Sequence, residues 1–276
     1  MTTTADLTRE TAATPLRPVP DAPTPLAGIP LSRLIRVELR KLIDTRAGFW
    51  LAASIGILCV VVMVAMLIGH RSQWASLNFG HFFSVMNTPI SIILPVMAVL
   101  LVTGEWSQRT GLTTFTMEPR RERIVVAKLV TALIAAATAT VLSLIFGAVG
   151  NAIAGLVFGD PAGAWDFTMA SLVNSFTIQV FGLLLGFGFA ALILNTPGAI
   201  VAYFALPTAM SVLTELVPWF TDHLADWVDP SSTNEPFYAT QWATGGEWWR
   251  LIVSSIIWVA IPLGLGIMRI LRSEVK

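Results

Sequence analysis

The sequence predicts an all-α integral membrane protein, with six transmembrane helices preceded by a cytoplasmic amphipathic helix at the interface and both termini in the cytoplasm. Three observations predict this. Apolar residues make up 55% of the 276 positions and charged residues only 12%, against roughly 45–50% and about 25% in ordinary soluble domains, so too little polar material exists to cover a globule. The charged residues are separated by long gaps. They also sort by sign: most Lys and Arg lie beside one set of span ends, and the acids of the connections beside the other.

Residues 1–30 are rich in Thr, Ala and Pro, with prolines at 15, 18, 20, 23, 25 and 30. Such a composition buries too little to fold, which predicts a disordered cytoplasmic tail. Residues 31–46 read differently. At 100° per residue Leu31, Leu34, Ile35, Leu39 and Leu42 share an arc, and Arg33, Arg36 and Arg40 cluster opposite, the pattern of a helix lying along the inner membrane surface. Glu38 falls at the apolar edge, costly against lipid and useful against protein, and Lys41 is three residues on, within reach of an ion pair.

Crossing about 30 Å of hydrocarbon takes roughly 20 apolar residues as a helix. Residues 47–69, 72–104 and 129–159 contain no Asp, Glu, Lys or Arg, and each predicts one span. Residues 167–214 give 48 positions without a formal charge. That is too long for one helix, and Asn195-Thr196-Pro197-Gly198 divides it with a turn. The last stretch, residues 251–268, lies between Arg250 and Arg269 and reaches about 27 Å as a helix, enough with Trp248 and Trp249 in the headgroup layer. The predicted spans are 47–69, 82–103, 129–151, 169–194, 199–217 and 250–270, within one six-span domain over 47–276.

Six spans place both ends on one side, and of the 17 Lys and Arg all but Arg71 and Arg250 fall there. The positive-inside rule makes that side cytoplasmic. The opposite side carries Asp160, Asp166, Glu215, Asp222, Asp226, Asp229, Glu235 and Glu247. The zero net charge therefore hides an asymmetry. The arginines are dispersed around span ends, where anchoring explains them, so no nucleic-acid partner is expected. The longest outer segment, residues 218–249, holds Trp219, Trp227, Trp242, Trp248 and Trp249, which predicts a stretch hugging the outer surface.

Chemistry is sparse. No Gly-x-Ser-x-Gly, His-Glu-x-x-His or phosphate-binding loop occurs, and no Gly-Lys pair exists, so neither hydrolase chemistry nor ATP binding is expected in this chain. His223 lies between Asp222 and Asp226, but a single histidine with exterior carboxylates reads as a solvated loop and no metal site is expected. The lone Cys59 excludes an intrachain disulfide framework. Uncharged polarity marks two spans. Ser84, Asn87 and Ser91 recur on one face of the second, with Thr88, Pro89 and Pro95 near them; Thr208, Ser211 and Glu215 repeat the pattern in the fifth. Such stripes either bond neighbouring helices or border a path for an amphiphilic solute. Gly182-x-x-x-Gly186, with Gly188 beyond, permits close helix contact within the chain or between subunits.

The most distinctive connection is Gly104-Glu105-Trp106-Ser107-Gln108-Arg109-Thr110-Gly111-Leu112-Thr113-Thr114-Phe115-Thr116-Met117-Glu118-Pro119-Arg120-Arg121-Glu122-Arg123, running on to Lys128. Together with Val37-Glu38-Leu39-Arg40-Lys41-Leu42 and Arg46 before the first span, it resembles the permease subunits of type-2 ATP-binding-cassette exporters over residues 31–276. The resemblance implies that Thr110 to Met117 form a coupling helix seated on a separate nucleotide-binding ATPase subunit. Glu105, Arg109, Thr110, Gly111, Leu112, Phe115, Glu118, Arg120 and Arg121 would then serve that contact, and Arg36, Glu38, Arg40 and Lys41 the interfacial helix. ATP and Mg would sit on the partner. The resemblance also implies a second copy of the chain or a related permease, with the path lined by the second and fifth spans.

The expected function is thus a membrane subunit of an ATP-driven exporter in the cytoplasmic membrane, moving a drug, antibiotic peptide or lipid-like solute and catalysing no covalent chemistry itself. The rivals are an ion-coupled carrier or channel, against which it counts that the one ionisable candidate within a span, Glu215, falls near the outer end of the fifth, and a membrane assembly factor.

Overall fold

The computed structural model describes residues 29–69, 77–107, 120–159 and 162–272, and the regular structure among them is helical throughout. Helix α1 (Leu31–Asp44) starts after Pro30, whose extended backbone leaves its carbonyl to accept from Arg33 N at 2.9 Å. Proline suits that boundary because it cannot extend a helix backward. One extended residue, Thr45, breaks α1 from α2 (Arg46–Gly69), and its Oγ1 accepts from Gly48 N at 3.1 Å to cap the new helix. At this elbow Gly48 has no room for a side chain, since a Cβ there would stand 1.9 Å from the Leu42 carbonyl oxygen.

Helix α2 is apolar around its whole circumference, and only a narrow stripe of Ile55, Cys59, Met63 and Met66 is buried below its first turn. The next helix, α3 (Phe79–Ser107), is the centre of the molecule. It touches α1, α2, α4 (Arg121–Phe158), α5 (Met169–Ile193) and α6 (Thr196–Leu216), and carries Pro89 and Pro95 in its interior. The remaining long helix, α7 (Gly245–Arg272), is interrupted by a π-helical turn at Ile256–Ala260. These six, α2 to α7, are long and apolar enough to cross a membrane. Most run beyond the expected spans. Helix α4 has 38 residues, about 57 Å of rise, well beyond the about 30 Å hydrocarbon core.

In an apolar solvent, helices gain little from hiding apolar surface and associate through close packing of small residues. The glycines expected to permit close contact do so within the chain. A Cβ at Gly186 would meet the Pro95 carbonyl oxygen at 2.9 Å, one at Gly188 would meet Leu263 N at 3.3 Å, and one at Gly266 would meet Ala191 Cβ at 2.6 Å. So α5 is wedged between α3 and α7. The turn between α5 and α6 sits at Leu194, held in the left-handed region at φ 55°, and Asn195 caps α6 by accepting from Gly198 N at 2.9 Å.

The segment between α6 and α7 folds into short helices over the far ends of α5, α6 and α7. Asp229, 2% exposed, accepts from Ser231 N, Ser232 Oγ and Ser211 Oγ, the last at 3.2 Å from α6. Asn174 Nδ2 donates to the carbonyls of Ala239 and Gln241, and Trp258 Nε1 to that of Val228. Phe237 is buried edge-on against Trp248, while Trp219, Trp242 and Trp249 are exposed. Helix α6 is the least embedded of the six, with only Ala199 and Thr214 buried.

Candidate functional site

Two acids and two lysines from three helices converge at the α1 end of the bundle. Glu38 and Lys41 lie one turn apart on α1, Glu105 near the end of α3, and Lys128 two turns into α4. Lys41 Nζ lies 2.6 Å from Glu38 Oε1 and 2.8 Å from Glu105 Oε1. Lys128 Nζ lies 2.7 Å from Glu38 Oε2 and 3.3 Å from Glu105 Oε1, and also donates to the Leu101 carbonyl at 2.9 Å. Each ammonium thus touches both carboxylates. Glu38, Glu105 and Lys128 are 4–5% exposed, so these charges stand where water does little to screen them. The Lys41 side chain is 38% exposed. Burial alone would lower its pKa, but Glu105 and Glu38 outweigh burial and hold it above the ordinary lysine value of 10.5.

Burying ions is costly and their attraction only offsets that cost when geometry is good and further hydrogen bonds complete the set. Here each ammonium lies against both carboxylates and Lys128 also donates to the Leu101 carbonyl, and the structural consequence is that α1 is fixed to the ends of α3 and α4. Other polar links secure the same end. Arg121 Nη1 donates to the Ile270 carbonyl at 2.9 Å, Thr103 Oγ1 lies 2.7 Å from Thr196 Oγ1, and Arg123 and Arg269 donate to the carbonyls of Ile29 and Leu192. Beside the cluster lies a cavity of about 620 Å³ between α1, the first turn of α2 and the last turns of α3.

The expected residues distribute as follows. Glu38 and Lys41 form the ion pair anticipated from their spacing. Glu105, which the resemblance places at the contact with an ATPase subunit, is buried and paired to Lys41 and Lys128 of its own chain. Arg36 and Arg40 are exposed on α1. Arg120, just before α4, is exposed, and Arg121 opens that helix. Arg109, Thr110, Gly111, Leu112, Phe115 and Glu118 lie outside the described residues, as does nearly all of the expected tail over 1–30.

The two polar stripes are brought into different surroundings. In α3, Asn87 accepts at Oδ1 from Gln179 Nε2 of α5 at 2.7 Å and donates from Nδ2 to the Phe83 carbonyl, while Ser91 donates back to Thr88 and Ser84 is exposed. In α6, Ser211 bonds Asp229 and Ser231, Thr208 donates back to Phe204, and Glu215 is exposed. Among the described residues no hydrogen bond joins one stripe to the other.

Two partners escaped the sequence reading. In the sequence Lys128 reads as the cation that closes the distinctive connection at the next span, although a single cation four residues into an apolar run is the signature of a buried, paired charge. Gln179, 3% exposed at mid-helix in α5, carries no formal charge and leaves the gap between charges unbroken; the signal that marks it is an uncharged polar stripe, Ser171, Ser175 and Gln179 at i, i+4 and i+8. Compared with models of protein families and with curated protein sequences, the chain finds no match.

Proposed function

We propose that the chain is the permease subunit of an ATP-driven exporter, with both termini in the cytoplasm and α1 lying along the inner face of the cytoplasmic membrane. Residues 108–119 would dock on a separate nucleotide-binding subunit that holds ATP and Mg, and a second copy of the chain or a related permease would complete the path. The solute would be amphiphilic, passing the partly exposed polar faces of α3 and α6.

The observation that supports this reading is the charge cluster. Glu105 lies two residues before the end of α3 and Lys128 seven residues after the start of α4, so both flank the connection on which a motor would press. Through Glu38 and Lys41 the same cluster takes hold of α1. A push on 108–119 would therefore move α1 and the ends of α3 and α4 as a unit, which is what switching access from one side to the other requires. The cluster acts here as a positioning device, with no proton or solute passing through it.

The test is purification in mild detergent from the native host, followed by ATPase assay and crosslinking from positions 108–119. An ATPase captured through that segment is the expected result; a chain that purifies without a nucleotide-binding partner overturns the reading. The buried Glu–Lys cluster also suits an ion-coupled carrier, since such proteins keep ionisable groups at depth. Solute uptake by proteoliposomes holding this chain alone, driven by a proton or sodium gradient, would establish that alternative.

A further inference from the structure

The cavity beside the charge cluster has a chemistry of its own, independent of whether the chain transports anything. Its volume, about 620 Å³, lies within the range that holds small molecules. Its floor is apolar and buried, with Met97 and Leu101 of α3 below Leu100, which is half-buried. Its mouth is polar and exposed: Arg46 opens α2, Thr45 precedes it, and Ser107 ends α3.

The charges around it leave a surplus cation. Lys41 and Lys128 also line the cavity, but they are neutralised by Glu38 and Glu105. Arg46 is exposed, and no described acid forms an ion pair with it. The cavity therefore offers one uncompensated guanidinium and the Thr45 hydroxyl above an apolar trough, the Ser107 hydroxyl being turned back onto the Gly104 carbonyl at 3.2 Å. Its height on the helices fits a lipid. It lies where α2 begins and α3 ends, and one turn below Arg46 the exposed Phe49 and Trp50 rings (55% and 65%) mark the level that aromatic side chains take at a headgroup boundary.

We propose that this cavity binds one anionic phospholipid of the surrounding bilayer, its phosphate on Arg46 and the Thr45 hydroxyl, its upper acyl chain along Met97, Leu100 and Leu101. Guanidinium matches a phosphodiester in charge and in the spacing of its donors, and the trough takes the chain that a free phosphate lacks. A zwitterionic lipid brings its own ammonium to the same place and is disfavoured beside the unpaired Arg46.

The test is lipid retention by the purified full chain in nanodiscs of phosphatidylcholine with or without phosphatidylglycerol, followed by native mass spectrometry. One phosphatidylglycerol held in preference to phosphatidylcholine is expected. Arg46→Gln should weaken that retention about fivefold, the scale of one basic residue at a membrane surface. Leu100→Trp should also weaken it by filling the trough, and Arg33→Gln, which removes an exposed charge elsewhere on α1, should leave it unchanged. Melting temperatures of the three variants show whether each is folded, and Arg46→Gln tests the proposal even if Leu100→Trp fails to fold. Equal retention of the two lipids overturns the proposal. So does an equal loss in Arg33→Gln, which would mean diffuse attraction. Displacement of the lipid by inorganic phosphate alone would make the site one for phosphate, and displacement by a synthetic peptide of residues 108–119 would make it a seat for that segment; either result overturns it.

Discussion

Lys128 Nζ and Glu38 Oε2 stand 2.7 Å apart although ninety positions separate them, and both side chains are about 5% exposed. Their contact joins a helix outside the six candidate spans to the interior of the longest one.

Removing one member of this pair should therefore be much worse than removing a surface charge. Lys128→Met takes one of the two described ammoniums from the two buried carboxylates, and should destabilise the protein by about 3–5 kcal/mol. Arg33→Gln should change stability by less than about 0.5 kcal/mol. Melting in detergent, followed by tryptophan fluorescence, measures both, and the double variant Glu38→Gln/Lys128→Met should recover part of the loss.

The alkaline limb of stability should carry the Lys41 signature. Its pKa in the folded chain lies above 10.5, so its contribution is fully present below that value and is lost as pH rises through the higher folded value. The difference in melting temperature between wild type and Lys41→Met should hold steady from pH 7 to about 10 and shrink above it. A gap that closes below pH 9 would contradict the assignment.

Two neighbouring glycines on α7 should behave oppositely. A Cβ at Gly266 would clash with Ala191, whereas at Gly264 it meets nothing within 4 Å. Gly266→Ala should destabilise by about 1–3 kcal/mol through overpacking. Gly264→Ala should be neutral or stabilising by up to about 1 kcal/mol through helix propensity. Thermal shift on the two proteins decides it.

At the far end, Asp229→Ala removes the acceptor that serves Ser231 N, Ser232 Oγ and Ser211 Oγ. The variant should lose about 1–3 kcal/mol. The short helices before α7 should also become open to protease, with cleavage between 218 and 244 detected by mass spectrometry.

Much of this architecture was legible before the coordinates. Long charge-free gaps mark the six helices because a low-dielectric solvent punishes charge wherever a helix crosses it, and Asn195-Gly198 marks the turn because Asn caps what Pro and Gly interrupt. The Glu38–Lys41 pair followed from helical spacing. Three-helix convergence did not, because a one-dimensional pattern states what each face is made of and leaves open which face it meets. Glu105 thus read as a surface acid. Gln179 left no trace in the charge pattern, since a neutral amide neither shortens an apolar run nor shifts a charge count; its mark is a third uncharged stripe, Ser171, Ser175 and Gln179, and it bonds Asn87 from another helix. Helix lengths were also underestimated. Residues 121–128 carry four charges ahead of an apolar run, and helix continues through charge as readily as through leucine while the backbone ladder is unbroken.

The alternating acids and lysines of the cluster also fix how it responds to a membrane potential. An isolated ion carried through the full field does electrical work of about 2.3 kcal/mol per 100 mV. Two ammoniums and two carboxylates moving together carry none on balance. The four cluster charges therefore add nothing to the electrical work of a rearrangement that shifts them as a block, and any voltage dependence of it comes from charges carried along with them, such as Arg33, Arg36 and Arg40 of α1.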